Sequence, residues 1–154
     1  RGSFLYGRIY RRGYRKSRET GKRLLDLMSQ EFKIEIISPD KTVFLGSTEE
    51  VLLPCYEGQI TILKDHIPLI TFLRPGVIKI SKNEEFYVED GTVEFSDNNL
   101  LVLSTSVQSL KKIKSEQINE MLKEAEKKVL SNQISDKQKY ILNYKIETLK
   151  QING

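Results

Sequence analysis

Between Phe32 and Ser104 the sequence breaks every few residues, and this punctuation restricts the fold more than any other feature. The opening run sets Phe32, Ile34 and Ile36 on one face and Lys33 and Glu35 on the other. That is the period of a half-buried strand. Further apolar or alternating runs occupy 42–45, 50–53, 59–63, 69–73, 77–81, 85–88, 92–95 and 100–104. Turn formers divide them: Ser38-Pro39-Asp40, Gly46, Pro54, Gly58, Arg74-Pro75-Gly76, Lys82-Asn83, Asp90-Gly91 and Asp97-Asn98-Asn99. Such a series predicts an antiparallel sandwich or barrel, with Glu89-Asp90-Gly91-Thr92 forming a hairpin turn. Its core is small, because only about 75 residues build it.

The period changes near Lys111, after which glycine and proline vanish until Gly154. Ser115 is the expected N-cap of a first helix, and Ile118, Leu122, Ala125 and Val129 follow at helical spacing as one stripe. Residues 131–136 read as a turn. Leu142, Ile146 and Leu149 then give a second, weaker stripe, so a two-helix antiparallel hairpin is predicted. Each helix has about four turns and a thin apolar face, a length at which an isolated helix is marginal in water. The hairpin must therefore dock on something.

A chain of 154 residues with 38% hydrophobic content suits one globular domain and a modest appendage. Cys55 is the single cysteine, which excludes an intramolecular disulfide and suits a reducing compartment. The runs at 60–63 and 67–73 are interrupted by Lys64, Asp65 and Pro68, far short of the ~20 apolar residues of a membrane span. A soluble or peripheral protein without direct membrane insertion is expected. The first residues are basic but lack the apolar core of a secretory signal, so export is not expected.

No constellation of residues points to a reaction. His66 is the single histidine and has no second ligand partner beside it, which leaves a hydrogen-bonding loop role. Cys55 follows Pro54 and has no paired base, so it reads as a small buried residue rather than a nucleophile. Gly46, Gly58, Gly76 and Gly91 are spaced as single turn residues and build no phosphate-cradling loop. Glu49-Glu50 and Glu84-Glu85 are adjacent, which on a strand sends the two carboxylates to opposite faces. No catalytic residue, metal or cofactor is expected.

The run Leu53-Pro54-Cys55-Tyr56-Glu57-Gly58-Gln59-Ile60-Thr61-Ile62-Leu63-Lys64-Asp65-His66-Ile67-Pro68-Leu69-Ile70 resembles the epsilon-subunit family of rotary F-type ATP synthases, counterpart of the mitochondrial delta subunit. Leu73-Arg74-Pro75-Gly76-Val77-Ile78 matches the Pro-Gly turn that follows it. Tyr87-Val88-Glu89-Asp90-Gly91-Thr92-Val93-Glu94-Phe95 and Leu101-Val102-Leu103-Ser104 resemble the later strands. The chain departs from the family at Cys55 and Thr61, where glycine is common, and at Lys64, where proline is common.

The resemblance implies a β + α chain: a sandwich of about ten short strands over residues 28–107, then the helical hairpin over 108–154. It implies a non-catalytic rotor subunit of a proton-translocating synthase, coupling the gamma shaft to the ring of c subunits and regulating ATP hydrolysis through the hairpin. The shaft and ring contacts implied are Glu57, Gly58, Gln59, Ile60, Thr61, Lys64, Asp65 and His66. The loop from Glu57 to Asp65 would lie toward the ring and His66 toward the shaft. The hairpin, with its stripes at Ile118, Leu122, Ala125, Val129, Leu142, Ile146 and Leu149, would meet the catalytic alpha and beta subunits transiently. The implied location is peripheral, on the cytoplasmic side of a bacterial inner membrane or the matrix side in an organelle. Some members bind ATP through arginine and alanine on the second helix. Residues 136–151 contain neither, so no nucleotide binding is expected.

The net charge of +4 conceals a boundary. Residues 1–27 hold nine basic and two acidic side chains and seven of the eight arginines; the remainder is net acidic. A basic tail with Tyr6, Tyr10 and Tyr14 among arginines could bind nucleic acid or an acidic surface, and a small β-sandwich adaptor is a further alternative. Because the folded part is acidic, no nucleic-acid partner is expected of it. The preferred reading is that 1–27 are foreign to the native subunit, whose start would be Met28. Their codons would be the end of an upstream beta-subunit gene read one nucleotide out of frame. The upstream nucleotide sequence decides the point.

Overall fold

The computed structural model describes residues 29–80 and 83–153, so the expectations placed on 1–27 lie outside the described residues. The strands are β1 (Phe32–Ile37), β2 (Thr42–Thr48), β3 (Glu50–Cys55), β4 (Gly58–Leu63), β5 (Leu69–Leu73), β6 (Gly76–Ile80), β7 (Glu84–Val88), β8 (Gly91–Ser96), β9 (Asn99–Leu103) and β10 (Gln108–Ser109). Two helices follow, α1 (Ser115–Leu130) and α2 (Asp136–Asn153). Nine of these strands coincide with the nine runs. The tenth, β10, is two residues long, too short to carry a period.

Strand order is β10-β7-β6-β3-β5-β8-β9-β1-β2, with β4 paired to β3. A single residue pair, Cys55 with Leu73, joins β3 to β5. There the sheet folds over into a first layer, β5-β8-β9-β1-β2, and a second, β10-β7-β6-β3-β4. Alternation does the rest: Ile34, Ile36, Val51, Leu53, Ile62, Ile78, Val88, Val93 and Val102 are fully buried between the layers. Each such side chain contributes about 1.5–3 kcal/mol on burial. Phe44 of β2 meets Phe86 of β7 at 5.6 Å between ring centroids. The pairings are antiparallel except that β1 runs parallel to β9.

The Glu89-Asp90-Gly91-Thr92 turn is not a hairpin. β7 pairs with β6 and β10, whereas β8 pairs with β5 and β9, so these residues cross between the layers. An Asp-Gly pair marks a tight change of direction but carries no information on which strands it joins. Gly91 has φ 154°, and a Cβ there would stand 2.7 Å from the Leu103 carbonyl oxygen and 3.0 Å from Leu73 Cδ1. Gly91→Ala is therefore expected to cost about 2–3 kcal/mol and lower Tm by roughly 10 °C. A thermal melt shifted by less than about 2 °C would contradict this account of the crossover.

The family-position departures cause no strain, because Cys55 and Thr61 lie within β3 and β4 and the positive φ angles fall at Gly58 and Asp65. Helix starts differ from expectation. Lys114, not Ser115, is the N-cap of α1, and no side chain caps it. At α2 the Ser135 hydroxyl accepts from the Gln138 amide (3.2 Å), while Gln138 Oε1 accepts from the Ser135 amide (3.1 Å). This reciprocal box fixes where the second helix begins.

Candidate partner-docking surfaces

The residues with catalytic potential are occupied structurally. Cys55 is buried, and burial pushes its thiol pKa up despite a hydrogen bond with Thr71, so little thiolate forms. The His66 ring stands edge-on to Phe95, with Nδ1 2.8 Å from the Ile67 carbonyl oxygen. Among the described residues no cluster of histidine, cysteine and carboxylate side chains could hold a metal ion.

The segment 57–66 is mostly strand rather than loop. Glu57 sits in the two-residue turn between Cys55 and Gly58, Gln59, Ile60 and Thr61 lie on β4, and Lys64, Asp65 and His66 follow its far end. Six strand residues span roughly 20 Å, so the two ends cannot be one contact patch. Gln59 and Thr61 are exposed, whereas Ile60 packs against the core. At the His66 end, the Asp65 amide donates to Asn98 Oδ1 at 2.7 Å and Asn98 Nδ2 donates back to Asp65 Oδ1 at 2.9 Å. Asn98 and Asp97 have φ of 59° and 49°, the turn that joins β8 to β9. The loop carrying His66 is thereby pinned to a rigid hairpin.

Sequence reasoning missed a larger surface. On the outside of the first layer, register places Ile70, Glu94, Leu101, Glu35 and Leu45 in one row and Phe72, Thr92, Leu103 and Ile37 in the next. Ile70 is 70% exposed, Phe72 59%, Leu45 59% and Leu103 44%. Exposed apolar bands of this kind across adjacent strands are typical of partner surfaces. The available clue was β5 itself: Leu69-Ile70-Thr71-Phe72-Leu73 is apolar at outward as well as inward positions, the pattern of a strand covered on both faces.

The outside of the second layer is partly covered by the helices. Tyr87 projects outward from β7 yet is buried, because Ile118 and Leu149 close over it with Leu110, Ile113, Leu122 and Ile152 around them. Its hydroxyl donates to Glu89 Oε1 at 3.0 Å, and Lys145 of α2 reaches the same oxygen at 2.8 Å. The Arg74 guanidinium lies 3.9 Å from the centre of the Tyr144 ring, and Thr148 Oγ1 is 3.5 Å from the Pro75 carbonyl oxygen. Of the expected hairpin stripes, Ile118, Ala125 and Leu149 are buried; Leu122, Val129, Leu142 and Ile146 are half-buried. The hairpin is thus folded against the sandwich.

A sandwich with one bare apolar face and the other partly covered by a helical hairpin has the surfaces of a docking subunit. Residues 31–109 match the family described as ATP synthase, Delta/Epsilon chain, beta-sandwich domain. The ATP synthase epsilon chain of Pelagibacter ubique is 47% identical over 131 residues, covering 82% of this chain and 100% of that protein. That of Dichelobacter nodosus is 32% identical over 108 residues, covering 68% and 76%. The chain belongs to the ATP synthase epsilon family, whose members are stalk subunits and not catalytic ones. Among solved structures, a chain of the Euglena gracilis mitochondrial ATP synthase shares the fold at TM-score 0.65 and 16% identity, covering 80% of this chain and 81% of that one. A chain from the central stalk and c-ring of the Tetrahymena thermophila enzyme does so at TM-score 0.57 and 17% identity, covering 79% and 96%. No helix among the described residues is long and apolar enough to cross a membrane.

Proposed function

We propose that this subunit sits in the central stalk of a proton-translocating ATP synthase, bound to the gamma shaft and the c-ring, and that its hairpin regulates ATP hydrolysis. The observation that carries the reading is the bare apolar face of the first layer. A rotor element must hold its shaft firmly, and a row of aliphatic and aromatic side chains on a stiff sheet supplies area without a hinge. The shaft is assigned to Ile70, Phe72, Leu45 and Leu103, extended at one end by the exposed Ile67 beside His66. The ring is assigned to the polar tip at Glu57, Gly58 and Gln59. The sandwich over 28–107 and the hairpin over 108–154 divide the two tasks. The setting is the cytoplasmic face of a bacterial inner membrane, or the matrix face in an organelle.

Two substitutions test the assignment of the segment ends. Gln59→Lys should weaken coupling at the ring, and His66→Glu should weaken shaft binding about tenfold, while both domains melt as the wild type does. ATP-driven proton pumping by complexes carrying either variant is the measurement. Undiminished pumping in both would remove this segment from the coupling surface.

A further inference from the structure

We propose that Arg74 is a counterweight to hairpin docking: it keeps the folded position less stable than the surrounding contacts alone would make it. The inference rests on the reading of the hairpin as the regulatory element and names a residue that sets its balance. Arg74 is the one arginine after residue 27, and the other permanent cations of that part are lysines.

Its backbone belongs to the sandwich. The Arg74 amide donates to the Pro54 carbonyl oxygen at 3.0 Å, and the turn lies so close to β3 that a Cβ on Gly76 would stand 2.4 Å from Pro54 Cβ. The turn is thus fixed from the sandwich side, without help from α2. Its side chain belongs to the interface. The guanidinium carbon stands 3.9 Å from the centre of the Tyr144 ring, and Nη1 donates to the Pro75 carbonyl oxygen at 3.0 Å. Nε is buried and has no hydrogen-bond partner, the one side-chain atom in that position among the described residues. Glu85 and Glu147 line the cavity of about 480 Å³ beside Arg74, yet neither pairs with it.

Two effects of docking therefore oppose each other. Laying a cation on a ring at a partly exposed site is a modest gain. Sealing an N–H of a charged group away from water with no acceptor costs more, because its hydration is lost and nothing replaces it. Tyr144 and Thr148 of α2 are the cover, so lifting the helix returns that N–H to water. The balance pushes the hairpin outward. A lysine at this position would set its Cε where Nε stands, keeping a cation near the ring and removing the stranded donor.

Hydrogen exchange across 139–149 of the full chain measures docking, and Leu149→Asp supplies the rate of a released hairpin. Arg74→Lys and Arg74→Met are each expected to exchange about three- to tenfold more slowly there than the wild type, with the strands unchanged. An ordinary anchoring role predicts the reverse, since both variants lose the stacked guanidinium. Exchange as fast as the wild type, or faster, in both variants would overturn the proposal. Slowing in Arg74→Met but not in Arg74→Lys would trace the effect to the charge and overturn the assignment to Nε. Slowing in both, with ATP hydrolysis by the assembled synthase unchanged, would uphold the role of Arg74 and remove the hairpin as regulator.

Discussion

The double variant Ile70→Asp, Phe72→Asp is expected to lose shaft binding by at least about a hundredfold while its sandwich stays folded. Both side chains point to solvent in the isolated subunit, so two carboxylates there remain hydrated and cost the free protein little. In the complex the same carboxylates would be buried against apolar partner surface without a counter-charge, where desolvation is severe. Calorimetry with purified gamma subunit reads the loss, and a thermal melt confirms the fold. Retention of near-normal affinity would show that the apolar face is not the shaft surface, whatever the behaviour of the segment 57–66.

Leu149→Asp is expected to release the hairpin without unfolding the sandwich. Leu149 is completely buried against Tyr87 and Ile118, so even truncation to alanine would cost about 2–5 kcal/mol, and an unpaired carboxylate there costs more. Among the remaining attachments, the Lys145–Glu89 pair and the Arg74–Tyr144 stacking lie at partly exposed positions and are worth about 1 kcal/mol each. They do not hold the helices alone. Proteolysis in the 131–135 turn and loss of exchange protection in α2 should rise together, with the first layer still protected. A cut after Ser106 is harsher, since it strips β7 of β10 and uncovers Tyr87; a cut after Ile113 keeps β10. If Leu149→Asp lost sandwich and hairpin in one transition, the two would be a single cooperative unit and the proposed division of tasks between them would fail.

The contrast between these two surfaces shows what the residues could reveal in advance. Alternation at Phe32, Ile34 and Ile36, and helical spacing at Ile118, Leu122 and Ala125, are local, and the fold places them as their periods require. Connectivity is not local: Asp90-Gly91 looks like many hairpin turns, yet it joins strands in different layers. Tyr87 occupies an outward position in its strand and is buried because residues between Leu110 and Ile152 cover it. The segment 57–66 was legible as a motif but not as two separate ends, because a motif has sequence order and no length in space. Ile70 and Phe72 were visible as apolar residues; only the register across five strands turns them into a surface.

The parallel pairing of β1 with β9 has a consequence for synthesis. Residues 33–37 must wait for 99–103 before that ladder can close, so the chain emerges with its first hairpin, β1 with β2, bare along one edge. Pairings of such sequence separation are slow to form, because the loop entropy is spent before the contact returns anything. The layer that carries Phe72 and Leu103 therefore cannot close before β9 is available, late among the strands. A ribosome that stalls before Leu103 would hold an unpaired β1–β2 edge, the state in which this subunit is most exposed to mispairing and to chaperone capture.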